Sequence, residues 1–194
     1  PNPADESFEN LKIYNNKYFT HDVFFAMSHG VHRGILKKGK FDKRELFINK
    51  LIKLTPKIKY NLFGINGVQP IWAEEFKKEA SKAKMALNIS QGKPLKYYSS
   101  DRITQLLGNG MLTFIDKKTK LSDFFSNKEV IFYTSIKDLS KKIIKHTNDN
   151  KLSKQIAKNG KNKYLKYFNS TIVADYIVSK ALNIKSNNKF IWDK

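Results

Sequence analysis

The sequence of 194 residues has no cysteine, only five prolines and no long apolar run. Without cysteine the chain forms no disulfide, no thiolate metal site and no cysteine nucleophile, which fits a reducing compartment. No apolar run approaches the ~18 residues of a membrane span, and no signal-peptide pattern is present, so we expect a cytoplasmic protein. Because the first residue is Pro1 rather than Met, we also expect a fragment of a longer protein.

Arginine and acidic residues are scarce beside lysine. The chain has 37 basic and 17 acidic residues and a formal net charge of +20, yet only Arg33, Arg44 and Arg102 are arginines. The lysines are spread along the chain, whereas specific readers of nucleic acid rely on arginine forks and stacking platforms. This distribution favours a solvated lysine surface and no specific nucleic-acid partner. Peripheral membrane association through anionic lipids stays open as an interpretation.

Short apolar segments alternate with amphipathic ones along most of the chain. At 40% hydrophobic and 13% aromatic residues, the composition supports one folded domain. Strands are predicted at residues 22–28, 57–63, 84–89, 111–115 and 130–133, and helices at residues 44–54, 72–83, 100–108, 136–146, 151–168 and 171–182. Such alternation is typical of an α/β fold with a doubly wound parallel sheet, for which we predict the strand order 3-2-1-4-5.

The domain boundaries follow from where the alternation begins and ends. Residues 1–20 are polar and predict a linker leading into the domain, residues 21–184 form a Rossmann-like domain, and residues 185–194 form a polar tail. In a doubly wound sheet the ligand lies at the carboxyl ends of the strands. The loops after residues 28, 63, 89 and 115 are therefore the candidate site.

The loop after the first strand contains a glycine-rich turn with an arginine. The backbone N–H groups from Gly30 onward and the guanidinium of Arg33 can contact a diphosphate, and an ordinary surface loop is the alternative. His29 and His32 are the only histidines in positions that suit acid–base chemistry, with a surface or structural role as the alternative for each. We take His29 as the catalytic candidate.

The segment from Asn88 to Gly110 joins a strand end, a polar loop and a capped helix. Ser99 or Ser100 can cap this helix, and free backbone N–H groups beside Arg102 then suit an anion. Gln105 lies one helical turn further on and can bind a hydroxyl. This spacing suits a nucleoside diphosphate, and the alternative is a capped helix with an exposed arginine.

Signals for a metal or a cofactor are missing from the sequence. The four histidines form no i, i+4 pair, and no Asp-x-Asp occurs that would carry a magnesium–diphosphate complex. No serine lies in a Gly-x-Ser-x-Gly turn. We expect no metal and no cofactor.

The order and spacing of these motifs resemble the bacterial group 1, spore-maturation-protein-like glycosyltransferases, which have the GT-B fold. That family has a strand ending in Leu-Asn, a loop, Arg-x-x-Glu, and a glycine followed by another strand. Here the matching residues are Leu87-Asn88, Arg102, Gln105 and Gly110. The resemblance continues through Asp123-Phe-Phe to residues 156–164 and covers nearly the whole chain. Gln105 stands where the family has Glu, and Tyr97 stands where many related transferases have a second acid.

The resemblance implies the C-terminal, donor-binding half of a GT-B glycosyltransferase that needs no metal. Its partners would be a nucleotide-diphosphate sugar donor, a glycan or other acceptor, and a missing N-terminal acceptor domain. It assigns Arg102 and the Gly30–Arg33 turn to the diphosphate and Gln105 to the ribose. The donor sugar is assigned to the loop that contains Lys93, Lys96, Tyr98, Ser99 and Ser100. The alternative function is a non-catalytic basic module, either a degenerate transferase domain or one that binds nucleic acid or an anionic surface.

Overall fold

The protein is described by a computed structural model that covers residues 1–28 and 42–193. Its centre is a sheet of five parallel strands, and six α-helices connect or follow them. The strands are β1 (His21–Ala26), β2 (Tyr60–Phe63), β3 (Ala83–Asn88), β4 (Leu112–Asp116) and β5 (Ile131–Tyr133). The helices are α1 (Lys43–Leu54), α2 (Ala73–Ala80), α3 (Asp101–Gly108), α4 (Ile136–Asn148), α5 (Asn150–Tyr167) and α6 (Ser170–Leu182).

Every strand pair in the sheet is parallel, which confirms the predicted fold class. The predicted strand order 3-2-1-4-5 is wrong, because the observed order is β2-β1-β3-β4-β5. The reason lies in β2, which is four residues long, is flanked by Lys59 and contains Asn61. Such a strand tolerates the solvent-exposed edge of a sheet. The more apolar β3 is almost fully buried and occupies a central position instead.

The two faces of the sheet bury alternate residues of each strand. Val23 and Phe25 of β1 belong to a core cluster with residues of α1 and α4, whereas Phe24 and Ala26 belong to a cluster with α2 and α3. A further cluster under β4 and β5 is rich in aromatic side chains from the C-terminal part of α5. Because both faces of the sheet are covered by helices, its carboxyl edge is the exposed surface where loops can form a site.

Both terminal segments pack on the domain. Residue Ala4 is fully buried and forms a parallel bridge with Asn169 at the start of α6. The ammonium group of Lys161 in α5 is buried and donates hydrogen bonds to the carbonyls of Glu9, Leu11 and Gly108. The residues predicted as a linker are therefore tied to α3 and α5. In the predicted tail, Trp192 packs against the aromatic cluster.

Candidate functional site

The corrected strand order moves the switch point of the sheet to the junction of β1 and β3. The chain leaves β1 toward β2 on one side and returns from β2 to β3 on the other, so the connections diverge there. Such a divergence opens a crevice at the carboxyl ends of the two strands. The segments that follow Ala26 and Asn88 border this crevice, and α3 begins beside it at Asp101.

Arg102 joins the ends of the two central strands. Its Nε donates to the carbonyl of Ala26 at 3.1 Å and its Nη1 donates to the carbonyl of Ile89 at 2.9 Å. The guanidinium carbon also lies 5.3 Å from the ring centre of Phe25, a distance that suits a cation–π contact. Arg102 is therefore bonded to both sides of the switch point. The alternative interpretation, an exposed arginine on a capped helix, did not predict these contacts.

The electrostatic environment of Arg102 is positive and partly dehydrated. Burial, followed by repulsion from Arg44, lowers the pKa of Arg102 to about 10, and Tyr98 partly opposes this effect. The guanidinium therefore remains charged at neutral pH. Arg44 is itself buried in a forked ion pair, in which its Nη2 lies 2.7 Å from Oδ2 of Asp42. Asp42 therefore neutralises Arg44, whereas Arg102 forms no ion pair with a described residue and keeps its charge for an anion.

A cleft of about 320 Å³ opens next to Arg102. Gln105 lines it together with Arg102, as the helical spacing predicted, and its side-chain amide makes no hydrogen bond to a described residue. The remaining lining residues are Ala26, Met27 and Ser28 at the end of β1, Ile71, Trp72, Ala73 and Phe76 around the start of α2, and Asp101 at the start of α3. The cleft is therefore lined both by hydrogen-bonding side chains, the charged Arg102 and the neutral Gln105, and by an apolar wall near the start of α2.

The apolar wall contains residues that the sequence did not single out. Trp72 is 59% exposed on this wall, whereas Ile71 and Phe76 are buried beneath it. Ala73, the first residue of α2, has a φ of +48°, which is uncommon for a residue other than glycine. Strained backbone of this kind concentrates at functional sites. An isolated tryptophan at the first residue of a predicted helix carried no signal, because only the fold brings it to the same cleft as Gln105.

The N-terminus of α3 supplies the free backbone donors that the sequence predicted, but without the expected cap. Ser100 occupies the N-cap position and its side chain makes no capping hydrogen bond. Instead its hydroxyl faces Oδ1 of Asn88 at 3.5 Å, and Oγ of Ser99 accepts from the backbone of Asn2 at 3.2 Å. An uncapped N-terminus leaves N–H groups available to an anion.

The loop between β3 and α3 is the exposed rim of the site. Lys93, Lys96 and Tyr98 are all exposed, and Tyr98 is close enough to Arg102 to affect its pKa. Nζ of Lys96 lies 4.7 Å from the ring centre of Tyr97. The structure therefore brings together Tyr98, Ser100, Arg102 and Gln105 near the switch point, while the two lysines reach into solvent.

Three residues predicted for the site lie outside the described residues. These are the catalytic candidate His29 and the diphosphate candidates Gly30 and Arg33. They follow Ser28, which lines the cleft. Within residues 1–28 and 42–193, no group of three His, Cys, Asp or Glu side chains is arranged to hold a metal ion. The same residues contain no helix with the length and apolarity of a membrane span.

The fold is similar to that of solved GT-B glycosyltransferases. Sucrose-phosphate synthase from Thermosynechococcus elongatus superposes with a TM-score of 0.61 at 12% identity, covering 94% of this chain and 49% of the synthase. HepE from Anabaena in complex with UDP gives a TM-score of 0.63 at 11% identity, covering 92% of this chain and 52% of HepE. Another structure of HepE contains UDP-glucose. The chain thus spans about half the length of these proteins.

Sequence comparison assigns the family. No curated protein matches the chain. The sequence profile of the family described as glycosyl transferase-like matches residues 43–179, a stretch that begins at α1 and ends within α6. This match includes the loop from β3 to α3, with Arg102 and Gln105, and it covers more than half of the sequence. The chain therefore belongs to the glycosyl transferase-like family.

Proposed function

We propose that this chain is the donor-binding domain of a glycosyltransferase that transfers a sugar from a nucleotide-diphosphate sugar to a glycan or another acceptor. The observation that carries the proposal is the position of Arg102, which is anchored on both central strand ends and lines the cleft beside Gln105. Membership in the family supports sugar transfer. The spore-maturation-protein-like subgroup is part of the proposal and rests on the spacing of Arg102, Gln105 and Gly110.

The diphosphate would bind at the start of α3. Two of the three guanidinium nitrogens of Arg102 hold carbonyls, and Nη2 makes no hydrogen bond to a described residue. Nη2 and the uncapped N–H groups of α3 can neutralise the charge that develops on the leaving diphosphate. Because this stabilisation is preorganised, we propose that the transfer needs no metal ion.

The nucleoside would lie along the wall of the cleft. The exposed indole of Trp72 offers a flat surface on which a nucleobase can stack, and Gln105 can hydrogen-bond a ribose hydroxyl. Gln105 lacks the charge of the family's Glu, so its bond to the ribose would be weaker. UDP is the first nucleotide to test, because the structures of HepE contain UDP and UDP-glucose.

The transferred sugar would extend from the diphosphate toward the exposed loop of residues 93–100. Lys93 and Lys96 can reach hydroxyl or phosphate oxygens there, and Tyr98 lies near Arg102. We include Gly30 and Arg33 as further diphosphate contacts and His29 as the catalytic group, since they directly follow Ser28 at the rim of the cleft.

The acceptor would be bound by a second, N-terminal half that packs against α6. One face of α6 is apolar, and the exposed Lys180 of the same helix pairs with Asp193. On this face Ile177 is 60% exposed and Leu182 is 66% exposed, with Ala174, Val178 and Ala181 also exposed between them. An uninterrupted apolar surface of this kind marks an interface. The solved neighbours are about twice as long as this chain, which supports a second half.

A thermal-shift panel tests nucleotide binding directly. UDP, GDP, ADP, CMP and TDP are compared with inorganic pyrophosphate. A ligand at a hundredfold excess over its Kd stabilises the native state by about 2.7 kcal/mol, so one base should raise the melting temperature above the others. We expect UDP to give the largest shift. If no nucleotide exceeds pyrophosphate, the cleft does not recognise a nucleoside and the proposed function is wrong.

Two glutamines provide a matched control. Gln105→Ala should weaken nucleotide binding without changing the affinity for pyrophosphate, which has no ribose. Gln155→Ala removes an exposed glutamine of α5 whose side-chain partner among the described residues is Asn159, and it should leave both affinities unchanged. Equal effects of the two substitutions on UDP would remove Gln105 from the site.

The second candidate function is a non-catalytic basic module. The observation that favours it is the net charge of +20, which attracts any polyanion. Such a module would bind nucleic acid or anionic lipid without a preference for nucleotides. The affinity of such a module for polyanions would fall much more steeply with salt concentration than the affinity of a nucleotide site for UDP.

A further inference from the structure

The outer surface of α1 and α4 is strongly basic. The two helices pack against each other on the face of the sheet that buries Val23 and Phe25. Within these two helices, which the structure describes completely, every exposed charged side chain is a lysine; these residues are Lys43, Lys50, Lys53, Lys137, Lys141 and Lys145. We call the surface formed by the exposed residues of α1 and α4 the basic face.

The acidic residues of α1 and α4 are half-buried and engaged in other contacts. Glu45 of α1 accepts a hydrogen bond from the backbone N–H of Asn66. Asp138 of α4 lies 2.8 Å from Nζ of Lys142 and accepts from the backbone N–H of Thr134. The exposed Asp149 follows α4, and its side chain caps α5. Exposed acids on the two described helices therefore do not balance the lysines of the basic face.

Large aliphatic side chains lie among these lysines. Leu46 of α1 is 56% exposed and Ile144 of α4 is 44% exposed, and Leu54 at the end of α1 is also exposed. Residues three or four positions apart lie on the same side of a helix. Leu46 therefore lies between Lys43 and Lys50, and Ile144 lies beside Lys141. The basic face thus combines positive charge with apolar groups that water solvates poorly.

This combination favours a lipid bilayer over nucleic acid as the partner. Clusters of about four to eight basic residues attract anionic headgroups, and each lysine near the membrane raises the affinity roughly fivefold. Aliphatic side chains can enter the boundary between headgroups and acyl chains. Nucleic acid is instead bound by arginine forks and aromatic stacking, and the exposed residues of α1 and α4, both fully described, include no arginine and no aromatic residue.

We propose that the basic face docks this domain onto an anionic membrane surface. The net charge left peripheral membrane association open, and the basic face gives it a location. Docking would bring the cleft close to the bilayer, because Arg44 near the start of α1 is near enough to Arg102 to repel its charge. The lysines of the basic face do not line the cleft as far as the structure describes it, so membrane docking does not depend on the nucleotide site.

Cosedimentation of the whole chain with lipid vesicles tests the proposal. We expect binding to vesicles of phosphatidylcholine mixed with phosphatidylglycerol, and no binding to phosphatidylcholine alone. A variant that combines Lys50→Gln, Lys137→Gln and Lys141→Gln should lower the partition coefficient roughly a hundredfold, about fivefold for each charge. The control removes the same charge from exposed lysines of other segments by Lys78→Gln, Lys158→Gln and Lys185→Gln. It should lower the coefficient no more than about fivefold. Equal losses in the two variants would overturn the proposal.

The aliphatic residues distinguish a bilayer from other polyanions. Leu46→Ser combined with Ile144→Ser should weaken vesicle binding at least tenfold and leave binding to duplex DNA unchanged. Leu152→Ser combined with Ile177→Ser, at exposed positions of α5 and α6, is the matched control and should leave vesicle binding unchanged. The proposal is wrong if the first pair of substitutions has no effect on vesicle binding, or if the lysine variant of the basic face loses DNA binding while wild type does not bind the vesicles.

UDP binding separates membrane docking from the proposed function. The lysine variant of the basic face should bind UDP as wild type does, and Arg102→Ala should bind the anionic vesicles as wild type does. If wild type binds UDP but no anionic vesicle, the docking surface is wrong and the nucleotide site stands. If it binds the vesicles through the basic face but binds no nucleotide, the proposed function is wrong and the docking surface stands.

Discussion

Arg102 has two tasks that one side chain can perform only because its guanidinium has several donors. Nε and Nη1 hold the carbonyls of Ala26 and Ile89, and the same group faces the cleft. A lysine at this position would place all its donors on one ammonium nitrogen, which cannot reproduce the planar arrangement in which Nε and Nη1 hold the carbonyls while Nη2 is left over. Because two backbone carbonyls depend on this guanidinium, loss of Arg102 should affect the fold as well as the cleft.

We therefore expect Arg102→Ala to lower both affinity and stability. Nucleotide binding should weaken by about 1.5–3 kcal/mol, the usual contribution of a charged hydrogen bond. Stability should fall by roughly 1–2 kcal/mol, because two carbonyls lose their donor but gain some access to water. Calorimetric titration with UDP and thermal unfolding measure the two effects. Arg102→Lys should recover only part of each.

The outcome against a binding role is clear. If wild type and Arg102→Ala bind UDP with equal affinity, while the variant is less stable, Arg102 is a structural link between β1 and β3 and does not bind the diphosphate.

The relative position of Arg102 and Gln105 could be predicted from the sequence, because the two residues are about one helical turn apart. The contributions of Trp72, Ala73 and the Asp42–Arg44 pair to the site could not be predicted, since they depend on how segments distant in the sequence pack together.

His146 provides a residue-scale prediction about pH. It is buried in α4, its Nδ1 lies 3.1 Å from Oγ of Ser153, and its ring packs against Phe114. Burial, followed by the charge of Lys145, lowers its pKa below the ordinary value of 6.5. Below pH 6.5 the unfolded chain therefore binds a proton that the native state excludes. Stability should fall as the pH drops from about 6.5 to the folded pKa and become constant below it.

The measurement for His146 is the free energy of unfolding in urea at a series of pH values. His146→Gln should remove this part of the pH dependence, because glutamine does not titrate. His21→Gln, at a histidine on the end of β1, should retain it. A slope between pH 6.5 and 5 that is identical in wild type and His146→Gln would show that other groups cause it.

At the scale of elements, the sequence predicted each strand and each α-helix that the described residues form, whereas it did not predict the strand order. Periodicity reports which segments are buried, and β1, β3 and β4 are all strongly apolar. Periodicity does not show on which side of β1 the chain places β2 and on which side it places β3. The polar residues around β2 were the available signal for an edge strand, and the predicted order placed that strand in the interior. The correction matters for function, because it moves the switch point next to Arg102.

The packing of α5 gives a prediction at the element scale. A Cβ added to Gly160 would collide with the backbone carbonyl of Glu129 and would lie 3.3 Å from Cδ2 of Leu107. Gly→Ala in a helix interior ordinarily stabilises by roughly 0.5–1 kcal/mol. Here the collision is with backbone, so Gly160→Ala should instead destabilise by about 1–3 kcal/mol.

Chemical denaturation measures this effect, with an exposed neighbour on the same helix as control. Lys158→Ala should change stability by no more than ~0.5 kcal/mol, because Lys158 is exposed. A neutral or stabilising Gly160→Ala would mean that α5 can move away from the turn at Glu129 at little cost. In that case the close approach of the helix would not be a constraint on the residue at 160.

At the scale of the whole molecule, the net charge of +20 attracts every anion, whereas the cleft is proposed to bind nucleotides alone. The positive field increases the local concentration of polyanions and of nucleotides alike. It falls off within a Debye length, about 8 Å at physiological ionic strength. Contacts made inside the cleft by a half-buried Arg102, Gln105 and Trp72 are less exposed to this screening. Salt therefore separates the two candidate functions.

We expect UDP binding to persist in salt and nucleic-acid binding to disappear. A protein that neutralises 6–10 phosphates of DNA loses about 10³–10⁵ in affinity between 50 and 200 mM salt, and the scattered lysines should behave in this way. UDP affinity should fall only a few-fold over the same range, since most of its contacts are local. Arg102→Ala should weaken UDP binding at both salt concentrations and leave DNA binding unchanged, because one charge among 37 basic residues contributes little to it. Fluorescence anisotropy with labelled duplex DNA and calorimetry with UDP measure the two affinities side by side. Tight DNA binding that survives 200 mM salt, together with no response to UDP, would favour the basic module over the transferase.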